Sequence, residues 1–250
     1  MQKMLTLARR ELAAYFFSPM AYVVGFLFLL LVSVVFLWGM EVPFLGISIK
    51  PVFHSGAEST LGPLFDVLAY GLVVVVPLLT MRLVAEEFRA GTIETLMTAP
   101  ITDAQVIGGK FLGAMGTYVA LLLTTIVYFL LVAAYGRPDW GVVGLGYLGM
   151  LLLGAAYVSV GVFASTVTPH QLVAGLVGIG ILAAFTAGPY LLAQLLPVGR
   201  AGFADSINMI KYFGHFSRGM IDSRAIIFLL TTTAFFLFLS VKVLESRRWR

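Results

Sequence analysis

The sequence predicts an all-α, polytopic membrane domain with six transmembrane helices, and three observations predict it. Of 250 residues, 60% are hydrophobic and only 11% are charged, where soluble domains carry about a quarter charged. Mean hydropathy is +1.00. The charge-poor stretches form six runs, each near the ~20 apolar residues a helix needs to cross the hydrocarbon core. An ordinary soluble domain is excluded, and little length remains for a soluble appendage. Cysteine is absent, which excludes disulfides and thiolate chemistry. The net charge of +4 is read as basic residues at an anionic membrane surface, so no nucleic-acid partner is expected.

The elements follow in chain order. Leu5, Ala8, Leu12, Tyr15 and Phe16 recur at helical spacing among Lys3, Arg9, Arg10 and Glu11. This pattern predicts an N-terminal amphipathic helix over 4–17, lying in the membrane interface among lipids. Ser18-Pro19 supplies an N-cap and a first-turn proline for the next helix. A cleaved signal peptide is not expected, because the apolar run from Met20 to Met40 is too long and lacks a small-x-small cleavage site. The six runs are 20–40, 62–81, 106–135, 141–166, 171–196 and 225–243. Thr102-Asp103-Ala104-Gln105 reads as a capping box opening the third. Thr168-Pro169-His170-Gln171 reads the same way for the fifth, with proline at the first helical position. Gly188-Pro189 should kink or interrupt that fifth run. Residues 197–223 are left as the longest polar connection.

Orientation follows from lysine and arginine. Both ends inside places Lys3, Arg9, Arg10, Arg82, Arg89, Lys110, Lys242, Arg247, Arg248 and Arg250 on the cytoplasmic side. Lys50, Arg137, Arg200, Lys211, Arg218 and Arg224 then lie outside. Ten against six favours this arrangement. Four of the six dissenting charges fall in 197–224, which is best read as dipping back into the membrane.

The interior of the runs narrows the chemistry. Apart from Asp66 near the start of the second, no ionisable residue stands well inside any run. Proton- and ion-coupled carriers place such groups at membrane depth, so a secondary transporter is disfavoured. No filter-like segment suggests a selective channel. Glu86-Glu87 with Arg89 resembles membrane-embedded CAAX-type proteases, but His54, His170 and His215 all fall at connections. His54 and Glu58, four apart, read as a solvated face rather than a metal site. Gly109-x-x-x-Gly113, Ala155-x-x-x-Ser159, Gly161-x-x-x-Ser165 and Ala174-x-x-x-Gly178 permit close helix packing.

The informative segment runs from Arg82 to Asp103, a cytoplasmic connection rich in carboxylates where basic residues would ordinarily dominate. It reads as a docking helix presenting acidic side chains and the apolar edge Ile93, Leu96 and Met97 to a partner. Gly91-Thr92 breaks and re-caps it, and Pro100 ends it. The pattern Glu86-Glu87-x-Arg89-x-Gly91-Thr92-x-Glu94-x-Leu96-x-x-x-Pro100, followed by Gly109-Lys110, resembles the cytoplasmic signature of type-two ABC exporter permeases. Arg10-Glu11-x-x-x-Tyr15 and the close Leu244-Glu245-Ser246-Arg247-Arg248-Trp249 are similar to the gliding-motility-associated subgroup.

The resemblance implies an interfacial helix before six spans, a cytoplasmic coupling helix within 82–103 and an outer re-entrant segment within 197–223. It implies a multi-pass permease of the bacterial inner membrane, paired with a second copy or a related permease. Cytoplasmic ABC ATPase subunits would contact Glu86, Glu87, Arg89, Gly91, Thr92, Glu94, Leu96 and Pro100. The chain itself lacks a phosphate loop: in the nearest candidate, Ala104 to Phe111, alanine replaces the first glycine and phenylalanine the Ser/Thr. ATP hydrolysis, and any cofactor it needs, is therefore expected in a separate subunit. The rival expectation is a membrane anchor or mechanotransmitter that uses the same ATPase coupling without moving cargo.

Overall fold

The computed structural model describes residues 2–38, 40–42, 47–49, 57–91, 102–135, 138–195 and 206–248. Helices build the architecture. α1 (Gln2–Phe16) turns at Ser18 into α2 (Pro19–Trp38), which begins on the proline as expected. A two-stranded antiparallel ribbon, β1 (Met40–Val42) with β2 (Ile47–Ile49), pairs Met40 with Ile49. α3 (Ala57–Thr80) leads through a tight turn into the short α4 (Ala85–Ala90). α5 (Asp103–Thr124) and α6 (Ile126–Tyr135) divide the expected third run at Thr125, whose hydroxyl bonds back to the Leu122 carbonyl at 2.6 Å. Then come α7 (Trp140–Val167), α8 (Gln171–Thr186), α9 (Gly188–Leu195), α10 (Met209–Ser217) and α11 (Ser223–Arg248).

Among the described residues, five helices are long and apolar enough to cross a membrane: Pro19–Leu37, Gly62–Ala90, Asp103–Ala134, Trp140–Val167 and Ser223–Arg247. Six were expected. The expected fifth run is interrupted at Ala187, just before Gly188-Pro189, leaving α8 as a shorter apolar helix of 16 residues. Pro189 has no N–H to continue the ladder, so a break there has a local cause. The proposed start of that run also differs. Thr168 is the extended C-cap of α7, the conformation a residue before proline prefers. Its hydroxyl accepts from the His170 N–H at 3.2 Å, and α8 starts after His170. Pro169 therefore precedes the cap and is not the first helical residue.

The core lies along α7, which packs against α3, α8, α10 and α11. Its glycines admit neighbours that no side chain would: a Cβ at Gly146 would stand 2.3 Å from the Phe65 ring and one at Gly154 would stand 2.1 Å from Tyr118. α10 is capped by Asn208, whose side chain accepts from the Ile210 and Lys211 N–H groups. Its buried Met209, Phe213 and Phe216 tuck it into the bundle. Residues 196–205, most of the approach to α10, lie outside the described residues. By contrast α2 and α11 leave broad apolar faces exposed, including Phe26, Leu30, Ile227 and Phe238, as helices bordering lipid do.

Candidate functional site

The site begins with a row of glycines. Gly109, Gly113 and Gly116 face α1 from the first turns of α5, and a Cβ on Gly113 would come within 2.6 Å of Glu11 Cβ. With no side chains in the way, α1 lies directly along α5. The capping box that opens α5 is formed as expected: the Thr102 hydroxyl accepts from Gln105 N–H, and Gln105 accepts from Thr102 N–H. α5 is thus fixed at its start.

Between α3 and α4 the chain turns over residues 81–84. α4 has no side-chain cap of its own. Instead Ser165, from α7, accepts from the N–H groups of Val84 and Ala85 and donates to the Met81 carbonyl, each at 3.0 Å. One buried hydroxyl satisfies groups that the helix start leaves orphaned. Gly91 closes α4 in the left-handed conformation, φ 71°, which glycine adopts without Cβ strain.

These three segments converge on Lys110. Its side chain is 1% exposed, and its ammonium lies 3.0 Å from Glu11 Oε1 and 2.8 Å from Glu87 Oε1. It also donates to the Leu83 carbonyl. A buried ammonium is tolerated only when paired and hydrogen-bonded, and here the partners come from α1, α4 and the turn before α4. Glu11 and Glu87 are themselves only 13% exposed.

A second cation reinforces the corner. The Arg82 guanidinium lies 4.7 Å from the Tyr15 ring centroid and donates to Ser18 Oγ and the Ala14 carbonyl. The Tyr15 hydroxyl donates to the Leu79 carbonyl at 2.8 Å. Burial pushes its phenol well above the ordinary tyrosine range, so the donor is retained at neutral pH. From the other side, Arg247 near the end of α11 stacks 4.5 Å from the Phe88 ring and donates to the Val167 carbonyl. A cleft of about 470 Å³ opens over this corner, lined by Arg10, Glu11, Arg82, Glu86, Glu87 and Lys110 among others.

The expected residues divide. Glu86 and Arg89 are exposed, Glu87 turns inward to Lys110, and Gly91 is the cap. Thr92, Glu94, Leu96 and Pro100 lie outside the described residues. Glu11, Lys110, Ser165 and Arg247 are participants that the sequence reading did not assign. The charge balance places Lys110 with the cytoplasmic surface cations, although Gly109-Lys110 closes the signature. A lysine four residues into an apolar run, next to a small-residue pattern, was the available signal. Among the described residues no three His, Asp or Glu side chains converge as a metal site requires. The arrangement links α4 to α1 through Glu87, Lys110 and Glu11, and to α11 through Phe88 and Arg247.

No curated protein matches the chain closely enough to show kinship. Residues 5–241 match the family model described as ABC-2 family transporter protein. Spanning helices, a charged corner tied to the turn after α3, and a match over nearly the whole length converge: the chain belongs to the ABC-2 family of transporter proteins.

Proposed function

We propose that the chain is the permease subunit of an ATP-driven exporter of the inner membrane, with ATP hydrolysed by separate cytoplasmic subunits. In this reading the chain crosses six times, α8 and α9 together making the fifth crossing. The charged corner faces the cytoplasm, where α1 and the end of α11 also lie. A second copy or a related permease completes the pathway, and the two chain ends are similar in pattern to the gliding-motility-associated subgroup. The segment 82–103 receives the ATPase, and closure of the ATPase pair moves α4 against α1 and α5.

The observation that carries this reading is the buried Lys110, bridged at 3.0 and 2.8 Å to carboxylates on α1 and α4. A static anchor has no need for a desolvated charge at the meeting of three segments, and such charges in membrane proteins mark function. The two glutamates take separate roles: exposed Glu86 meets basic side chains of the ATPase, whereas Glu87 transmits.

Glu86→Gln should lower ATPase co-purification about tenfold or more, in line with about 1.5–3 kcal/mol for a charge-assisted hydrogen bond. Glu87→Gln should leave co-purification intact and lower transport-coupled turnover. Unchanged assembly and turnover in the double variant would overturn the assignment and shift attention to Thr92, Glu94 and Leu96.

A further inference from the structure

At the end of the bundle opposite Lys110, α3, α7 and α10 enclose a second chamber of about 550 Å³. Its charged lining comes from three different elements. Asp66 projects from the first turns of the apolar part of α3, Asp139 is the N-cap of α7, and Arg218 closes α10. Gly62 and Gly214 line it without side chains, which keeps the space open. Asp139 uses Oδ1 to cap, accepting from Gly141 N–H at 2.8 Å. Its carboxylate also lines the chamber.

Exposed apolar side chains fix the depth. Trp140, beside Asp139, is 58% exposed, and Met220 and Ile221, just past Arg218, are also exposed. A tryptophan at the end of a spanning helix marks the headgroup layer. The mouth of the chamber therefore opens where lipid headgroups lie, one guanidinium facing two carboxylates.

We propose that this chamber binds the zwitterionic headgroup of an aminophospholipid, its phosphate on Arg218 and its primary ammonium on Asp66 and Asp139. The guanidinium fork matches two phosphate oxygens, and an ammonium supplies three N–H donors to carboxylates. A choline headgroup carries the same charges but has no N–H to donate. A glycerol headgroup keeps the phosphate and brings no cation to the carboxylates. A divalent cation would meet only two carboxylates and a guanidinium that repels it. The inference needs the chain to sit in a bilayer, and does not depend on ATP coupling or on the direction of transport.

The test uses the purified full chain in a mild non-ionic detergent, titrated with lysophosphatidylethanolamine, lysophosphatidylcholine and lysophosphatidylglycerol, with binding counted by native mass spectrometry. The ethanolamine probe should bind at least tenfold more tightly than either of the others. Asp66→Asn should erase its advantage over the glycerol probe, and Arg218→Gln should weaken all three about tenfold. Arg218 is exposed, so that variant keeps the test open if Asp66→Asn fails to fold. Equal binding of the three probes, an advantage over the glycerol probe that survives Asp66→Asn, undiminished binding in Arg218→Gln, or competition by spermidine without any phosphate would each overturn the proposal.

Discussion

A lysine ammonium buried to 1% exposure between two carboxylates makes each partner's removal consequential in its own way. Replacing Lys110 by Met removes the ammonium that bridges Glu11 and Glu87. Breaking one side of a buried pair costs about 3–5 kcal/mol. Glu87→Gln leaves Lys110 still bonded to Glu11 and the Leu83 carbonyl, so it should cost less. Combining Lys110→Met with Glu87→Gln also removes one of the two carboxylates the ammonium bridged and should recover part of the loss. A double-mutant cycle on detergent-solubilised protein, read by thermal unfolding, checks this. Strict additivity of the two substitutions would show that the ion pair is not coupled. The hydroxyl of Ser165 poses a related economy, because it serves Val84, Ala85 and Met81 at once. Residues of this kind were the least legible from sequence. Ser165 acts on groups 80 to 84 positions away and Lys110 on Glu11, 99 positions away, and nothing in local spacing announces such partners.

At the scale of elements, the seat of α1 on α5 depends on what a methyl group would strike. At Gly113 the obstruction is Glu11 Cβ at 2.6 Å and the Ala8 carbonyl at 3.1 Å, neither of which can swing aside. At Gly108 it is the sulfur of Met4 at 2.9 Å, the far end of a flexible side chain. Gly113→Ala should therefore lift α1 and loosen the Glu11–Lys110 pair, costing about 1–3 kcal/mol as overpacking does. Gly108→Ala should be tolerated within about 1 kcal/mol, since helical glycine is itself less favourable than alanine. Protease accessibility of α1 in intact vesicles distinguishes the two; equal protection of both variants would count against the seat. Elements were largely legible where the signal was local. The capping box at Thr102 formed as the spacing of Thr and Gln implied, and the break at Gly188-Pro189 followed from proline's missing donor. Hydropathy gave α2 and α11 because their apolar faces are continuous. It did not foresee the break at Thr125, where a threonine hydroxyl bonds to both the Leu122 carbonyl and the Tyr147 hydroxyl. Nor did it place Pro169, because Thr168 closes its turn onto His170 rather than onto the helix.

For the whole molecule, the contact of Arg247 with Phe88 and the Val167 carbonyl sets the end of α11 beside α4. α1 reaches the same corner through Glu11. The two chain ends thus share one end of the bundle, while α10 packs at the other, beside the start of α7. The absence of native cysteine makes this directly measurable. Cysteines placed at Ser206 and Ser246, both exposed, should be labelled from opposite faces of sealed vesicles. Labelling of both from one face would refute the proposed topology. Residues 92–101 lie outside the described residues, so the half of the signature proposed to meet the ATPase rests on sequence pattern, whereas its inner half is defined by side-chain geometry.

The 99 positions that separate Glu11 from Lys110 also set a schedule. At roughly 5–20 residues per second of synthesis, α1 emerges about 5–20 s before the lysine it will embrace. During that interval Glu11 stays hydrated, and α1 is held to the bilayer surface by its own apolar stripe, Phe16 included, and then by Leu79 and Arg82 as they emerge. The ribosome will have delivered α2, α3 and α4 before the ammonium arrives to join them. Burial of the charge is accordingly a late act of assembly. A nascent chain stopped short of Lys110 would carry every carboxylate of the corner and none of its closure.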